Sequence, residues 1–138
     1  MPRYSEMTGR SKLVVLEPRV TRAFWSKRRA WQGETLTLYV ETKHVPDGAS
    51  MTIEIWEDGT DEGRGDERIA EVSGSHTIDK GRYQVDYELR LDPDTLGQDL
   101  ELEGDAWELY FVVRFESPAA SGRSGLLYVD LQSLVVSV

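Results

Sequence analysis

Six carboxylates crowd into eleven residues of this 138-residue chain: Glu57, Asp58, Asp61, Glu62, Asp66 and Glu67, interleaved with glycines. Calcium takes roughly six to eight hard oxygen ligands from a flexible loop, and a loop of this composition supplies such oxygens. Glu57, Asp58, Asp61 and Asp66 are therefore the candidate ligands of a calcium-dependent binding module. The spacing departs from the D-x-[DN]-x-[DN]-G-x₅-E pattern of an EF-hand. A competing reading needs no metal: the basic run Lys27, Arg28 and Arg29 is expected at the same end of the fold, where it would partly neutralise the acidic loops. Exposed ion pairs of that kind are worth about 0–1 kcal/mol each.

Other chemistry finds little material. The chain has no cysteine, which removes thiolate nucleophiles, disulfides and sulfur-based zinc sites. Its two histidines, His44 and His76, fall in or beside turns, with a surface position expected for both. Neither sits in a nucleophile turn, and a triad needs a base oriented by an acid. No phosphate-cradling glycine loop follows a strand, and Gly63-Arg64-Gly65 is too short and too acidic in context. The expectation is a protein without catalytic residues and without an organic cofactor.

Charge narrows the partners. The formal net charge is −9, divided into +6 over residues 1–33 and −15 over the remainder. An acidic body disfavours nucleic acid, whose phosphates need a basic face, and anionic membrane surfaces. No segment approaches the roughly 20 apolar residues of a membrane span, so no membrane insertion is expected. The apolar stretch at 13–16 is shorter than a signal-peptide core of about 7–15 residues. The expected location is the cytoplasm, or outside the cell by export without a Sec signal.

What remains is protein binding, to a partner or to copies of the same chain. Trp, Tyr and Arg are the usual interface anchors, which singles out Arg28, Arg29 and Trp31 in the basic turn; the alternative for Trp31 is a cap that seals the end of the sandwich. The chain also runs apolar to its last residue, and Leu134, Val136 and Val138 could add to a neighbour's sheet as an extra strand.

These residues must be positioned by strands. Apolar and polar residues alternate with period two over 35–42, 51–56, 83–91, 107–115 and 126–138, the pattern of strands with one buried and one wet face. Leu36, Leu38 and Val40 point inward from one strand, and Met51, Ile53 and Ile55 from the next. Trp107 shares parity with Leu109, Phe111 and Val113 and is the expected core tryptophan, whereas Trp56 falls opposite Met51, Ile53 and Ile55, at the rim or on the outer face. Shorter strands are expected at 13–16, 20–26, 68–72 and 76–78. Turns are expected at 27–33, 45–48 and 79–81, an acidic connection at 92–105 and a small-residue loop at 117–122. One domain over residues 12–138, preceded by a basic arm at 1–11, accounts for the pattern. The fold class is all-β: an immunoglobulin-like antiparallel β-sandwich of about 7–9 strands with Greek-key connections.

The stretch Trp25-Ser26-Lys27, Ala30, Gly33-Glu34-Thr35-Leu36-Thr37-Leu38, Val45-Pro46-Asp47-Gly48 and Thr52-Ile53-Glu54-Ile55-Trp56-Glu57 resembles bacterial immunoglobulin-like modules. These are similar to modules found on type VI secretion spike proteins, their linked toxins and phage-tail-like proteins. The resemblance covers roughly residues 22–72. It implies a non-catalytic structural or adaptor subunit of a bacterial or phage-like assembly, and no catalytic residue carries over.

Overall fold

Alternation becomes two packed layers. The computed structural model describes residues 16–59, 65–91 and 106–130. Ten strands and no helix occur among them: β1 (Arg19–Trp25), β2 (Arg29–Trp31), β3 (Thr35–Lys43), β4 (Ser50–Glu57), β5 (Glu67–Glu71), β6 (His76–Thr77), β7 (Arg82–Glu88), β8 (Ala106–Glu116), β9 (Ala119–Arg123) and β10 (Leu127–Asp130). The smaller sheet has the order β1-β3-β7. The larger has seven strands, in the order β2-β10-β8-β4-β5, with β6 on β4 and β9 on β8.

Each sheet is apolar on the side that meets the other. From β3, Leu36, Leu38 and Val40 point into the interlayer, and Thr42 continues the same face. From β4 come Met51, Ile53 and Ile55, and from β8 Trp107, Leu109, Phe111, Val113 and Phe115, all buried. Trp25 closes on Phe111 edge to face, with ring centroids 5.1 Å apart at 85°, a favourable aromatic geometry.

The centre of the large sheet is β8. One side pairs with β4 from Met51↔Phe115 to Glu57↔Leu109. The other side is shared, with β9 along Val112–Glu116 and β10 along Ala106–Leu109. Between β9 and β10 the ladder breaks, and Ser124 mends it. Its N–H donates to the Phe111 carbonyl at 2.9 Å, and its Oγ accepts the Phe111 N–H at 2.9 Å.

The turn before β7 is set by two residues with positive φ, Lys80 (52°) and Gly81 (77°). Positive φ at both central positions is the type I′ geometry that matches strand twist. Reciprocal bonds between Asp79 and Arg82 close it, and Asp47 Oδ1 accepts the Lys80 N–H at 2.7 Å.

Several expectations need correction. The basic turn at 27–33 contains β2, which pairs with β10 in parallel, Arg29↔Tyr128 to Trp31↔Asp130. A wholly antiparallel sandwich is therefore not what forms; three residues are too few to show period two, and their partner lies far along the chain. The small-residue loop at 117–122 is mostly β9. Low strand propensity is overridden there by the ladder to β8, from Val112↔Arg123 to Glu116↔Ala119, while β1 crosses so closely that a Cβ at Gly122 would come within 2.8 Å of Val20. Of the expected last strand at 126–138, the described part forms β10, set off from β9 by the Ser124 break, and 131–138 lie outside the described residues. Counting these short pieces gives ten strands among the described residues instead of 7–9. The expected strand at 13–16, the arm at 1–11 and the connection at 92–105 lie outside the described residues, save Leu16, which is not in a strand.

Candidate functional site

The outer face of the large sheet carries a compact cluster. Trp56 of β4 stands opposite Tyr110 of β8, and their rings stack with centroids 6.4 Å apart and 12° between planes. From β9, the Arg123 guanidinium lies 3.6 Å above the Tyr110 ring. Tyr110 is thus flanked by an indole and a cation, which leaves it only 5 % exposed although alternation places it on the wet side. Its hydroxyl donates to Asp66 Oδ2 at 2.5 Å, and Asp66 Oδ1 accepts the Gly59 N–H at 3.1 Å. Burial, followed by the Asp66 bond and charge, pushes the Tyr110 hydroxyl up to about 12.

Beside it, Glu54 gathers three donors. Trp56 Nε1 donates to Glu54 Oε1 at 3.1 Å, Arg114 Nε approaches the same oxygen at 3.4 Å, and Arg68 Nη1 lies 3.6 Å from Oε2. A shallow groove of about 300 Å³ opens between the Trp56–Tyr110–Arg123 ridge and Arg114, with Val112 and Ser121 along it.

A second cluster sits at the β2 edge. Arg29 grips Asp130 of β10 in a forked pair, Nε to Oδ2 at 2.9 Å and Nη2 to Oδ1 at 2.8 Å. Bidentate guanidinium–carboxylate pairs are the geometrically specific kind. Lys27 bonds Glu34, whose other oxygen accepts the Trp31 N–H at 3.1 Å. The Lys27 bond first and the Trp31 N–H second hold the Glu34 carboxyl below its ordinary range. Trp31 itself is 49 % exposed and Arg28 is exposed.

Of the proposed metal ligands, Glu57, Asp58 and Asp66 lie among the described residues. Glu57 is an inward residue of β4 and fully buried, Asp58 is half-buried, and Asp66 is engaged by Tyr110 and Gly59. Asp61 lies outside the described residues. Among the described residues no group of three or more His, Asp or Glu is arranged to hold a metal ion. Among the described residues, the basic turn pairs Lys27 with Glu34 and Arg29 with Asp130; the acidic stretches 60–64 and 92–105 lie outside the described residues. Of the proposed interface residues, Arg28, Arg29 and Trp31 share the β2 edge, while Leu134, Val136 and Val138 lie outside the described residues.

One histidine was misplaced. His44 is exposed at a positive φ of 61°, as a turn residue should be. His76 is buried, with Nε2 2.9 Å from the Val72 carbonyl and Nδ1 2.5 Å from the Tyr83 hydroxyl. A carbonyl only accepts, so Nε2 carries the proton and Tyr83 donates to Nδ1 in the neutral ring. The turn-like sequence around His76 gave no sign of the Tyr83 partner. Nor did any motif announce the Trp56–Tyr110–Arg123 stack, since its members belong to three strands; the signals available were an outward tryptophan and an aromatic at a wet position.

Together these features define an all-β domain of two facing sheets with polar–aromatic clusters on its outer surface. No protein-family model and no curated protein matches the chain. Among solved structures it is similar to a cycloisomaltooligosaccharide glucanotransferase from Paenibacillus sp., at 14% identity and a TM-score of 0.50, covering 83% of this chain and 14% of that one. It is also similar to the sporulation control protein Spo0M of Bacillus subtilis (17%, TM-score 0.47, 85% and 50%). A third is a superoxide reductase from Ignicoccus hospitalis (10%, TM-score 0.41, 87% and 85%). The chain thus spans only a small part of the glucanotransferase, and the likeness concerns the fold alone. No helix among the described residues is long and apolar enough to cross a membrane.

Proposed function

We propose that this chain is a non-catalytic structural or adaptor subunit, built as an immunoglobulin-like sandwich with Greek-key connections, that binds copies of itself or a protein partner through its β2 edge. The setting would be a bacterial or phage-like assembly, as the sequence resemblance implies. The observation that carries the binding reading is Trp31, a tryptophan 49 % exposed on an edge strand. Its neighbour Arg29 is held by Asp130 and its own N–H by Glu34. A large aromatic on backbone already fixed by neighbouring bonds loses little entropy when it docks. The strand order supports the sandwich reading, because β3 and β4, and again β7 and β8, are consecutive in sequence but belong to different sheets. The engagement of both ring nitrogens of His76 supports a role without a free general base there.

Light scattering after size exclusion, at low and high salt, tests the edge. The expected result is a species larger than a monomer that Trp31→Glu converts to monomer with an unchanged circular dichroism spectrum. A wild-type chain that stays monomeric at every salt concentration would overturn self-association.

A further inference from the structure

On the outer face of the large sheet, away from the β2 edge, Arg123 is mounted on the Tyr110 ring yet forms no ion pair among the described residues. Among the described residues, its neighbour Arg114 is held through Nε alone, by a long contact to a Glu54 carboxylate that Trp56 and Arg68 share. Arg123 pairs with Val112 and Arg114 with Ser121, so the arginines are diagonal neighbours, roughly 7–8 Å apart at their bases. They flank an apolar spot, Val112, with the Trp56–Tyr110 stack as one wall.

We propose that this groove binds a carboxylate side chain of an acidic, extended peptide segment from a protein partner, held by Arg114 and Arg123. Several features select that chemistry. Guanidinium groups match a planar carboxylate bidentately, and the volume of about 300 Å³ suits one side chain with an aliphatic stem against Val112. Glu54 sits beside the groove and offsets part of the arginine charge, so the balance left is nearer that of a single carboxylate than of a phosphate at about −1.5 to −2. Because both arginines are exposed, a free small acid would bury too little surface to be retained. A peptide adds contacts on either side, over Thr52 and Ser121. Arg123 is pre-set by the ring beneath it, and the Asp66 bond to the Tyr110 hydroxyl holds that ring.

The test is a titration of the full chain with an end-capped hexapeptide carrying two glutamates around a valine. It is followed by calorimetry and by the side-chain Nε–H resonances of Arg114 and Arg123. Saturable binding is expected, weakened about tenfold by Arg123→Gln and by Arg114→Gln, partly kept by Arg123→Lys, and absent with the glutamine peptide. Resonance shifts confined to other arginines, or no saturation at millimolar peptide, would overturn the site. Tighter binding of a phosphoserine counterpart would overturn the choice of carboxylate. Trp31→Glu is expected to leave this binding unchanged, which keeps the result separate from that at the β2 edge.

Discussion

Gly122 of β9 lies so close to Val20 of β1 that a Cβ added to it would come within 2.8 Å of the valine side chain. The contact is where the small sheet meets the large one along their shared border. Gly122→Ala should therefore destabilise the fold by about 1–3 kcal/mol, the usual cost of overpacking. Val20→Ala in the same chain should recover much of it. Denaturant melts of the two single variants and the double variant check this; additive losses would show that the border has room to spare.

Ser124 occupies the break between β9 and β10 and gives Phe111 both of its backbone bonds there. Phe111 is fully buried and Ser124 is 3 % exposed, so water cannot easily replace the hydroxyl. Ser124→Ala leaves the Phe111 N–H without its acceptor and should cost about 1–3 kcal/mol. Hydrogen exchange should quicken at Phe111 before it does at Val113.

Alkaline pH should weaken the outer cluster in a defined window. The Tyr110 hydroxyl is raised from 10.0 to about 12 by burial and then by Asp66. Between those values the folded chain keeps a proton that the unfolded chain has lost, so stability falls as pH rises. The contribution is fully present below pH 10 and is lost as the pH climbs through 12. It amounts to something on the order of 2 kcal/mol. Tyr110→Phe removes this component, so the stability difference between wild type and variant should stay constant below pH 10 and shrink above it. A difference that does not change with pH would contradict the assignment.

Calcium should leave the melting temperature unchanged. Both carboxylate oxygens of Asp66 are already bonded to protein donors, and Glu57 points into the core. Recruiting them would break the Tyr110 bond and expose a buried face of β4. Matched melts in calcium and in chelator decide the matter, and a rise in calcium would restore the acidic loop as a binding site.

Period two alone marked the long strands. In β3, β4 and β8 the alternation spans enough residues to identify which side is buried, because inward residues must exchange water for apolar contact. Leu38, Ile53 and Phe111 were legible in this way, and so was the outward placement of Trp56. Three features depended on tertiary contact. β2 is a strand because β10 lies beside it, β9 is a strand because β8 supplies its ladder, and His76 is held in the interior by the Tyr83 hydroxyl and the Val72 carbonyl. The groove belongs to the same class: Trp56, Tyr110 and Arg123 are far apart in sequence and meet only through the registers of β4, β8 and β9. Local pattern reports how a residue is solvated along its own strand, while a partner from another strand leaves no trace in that pattern. The all-β class and the buried faces of the long strands were therefore readable from the chain, while the order of the strands and the surfaces that could bind were decided by pairing.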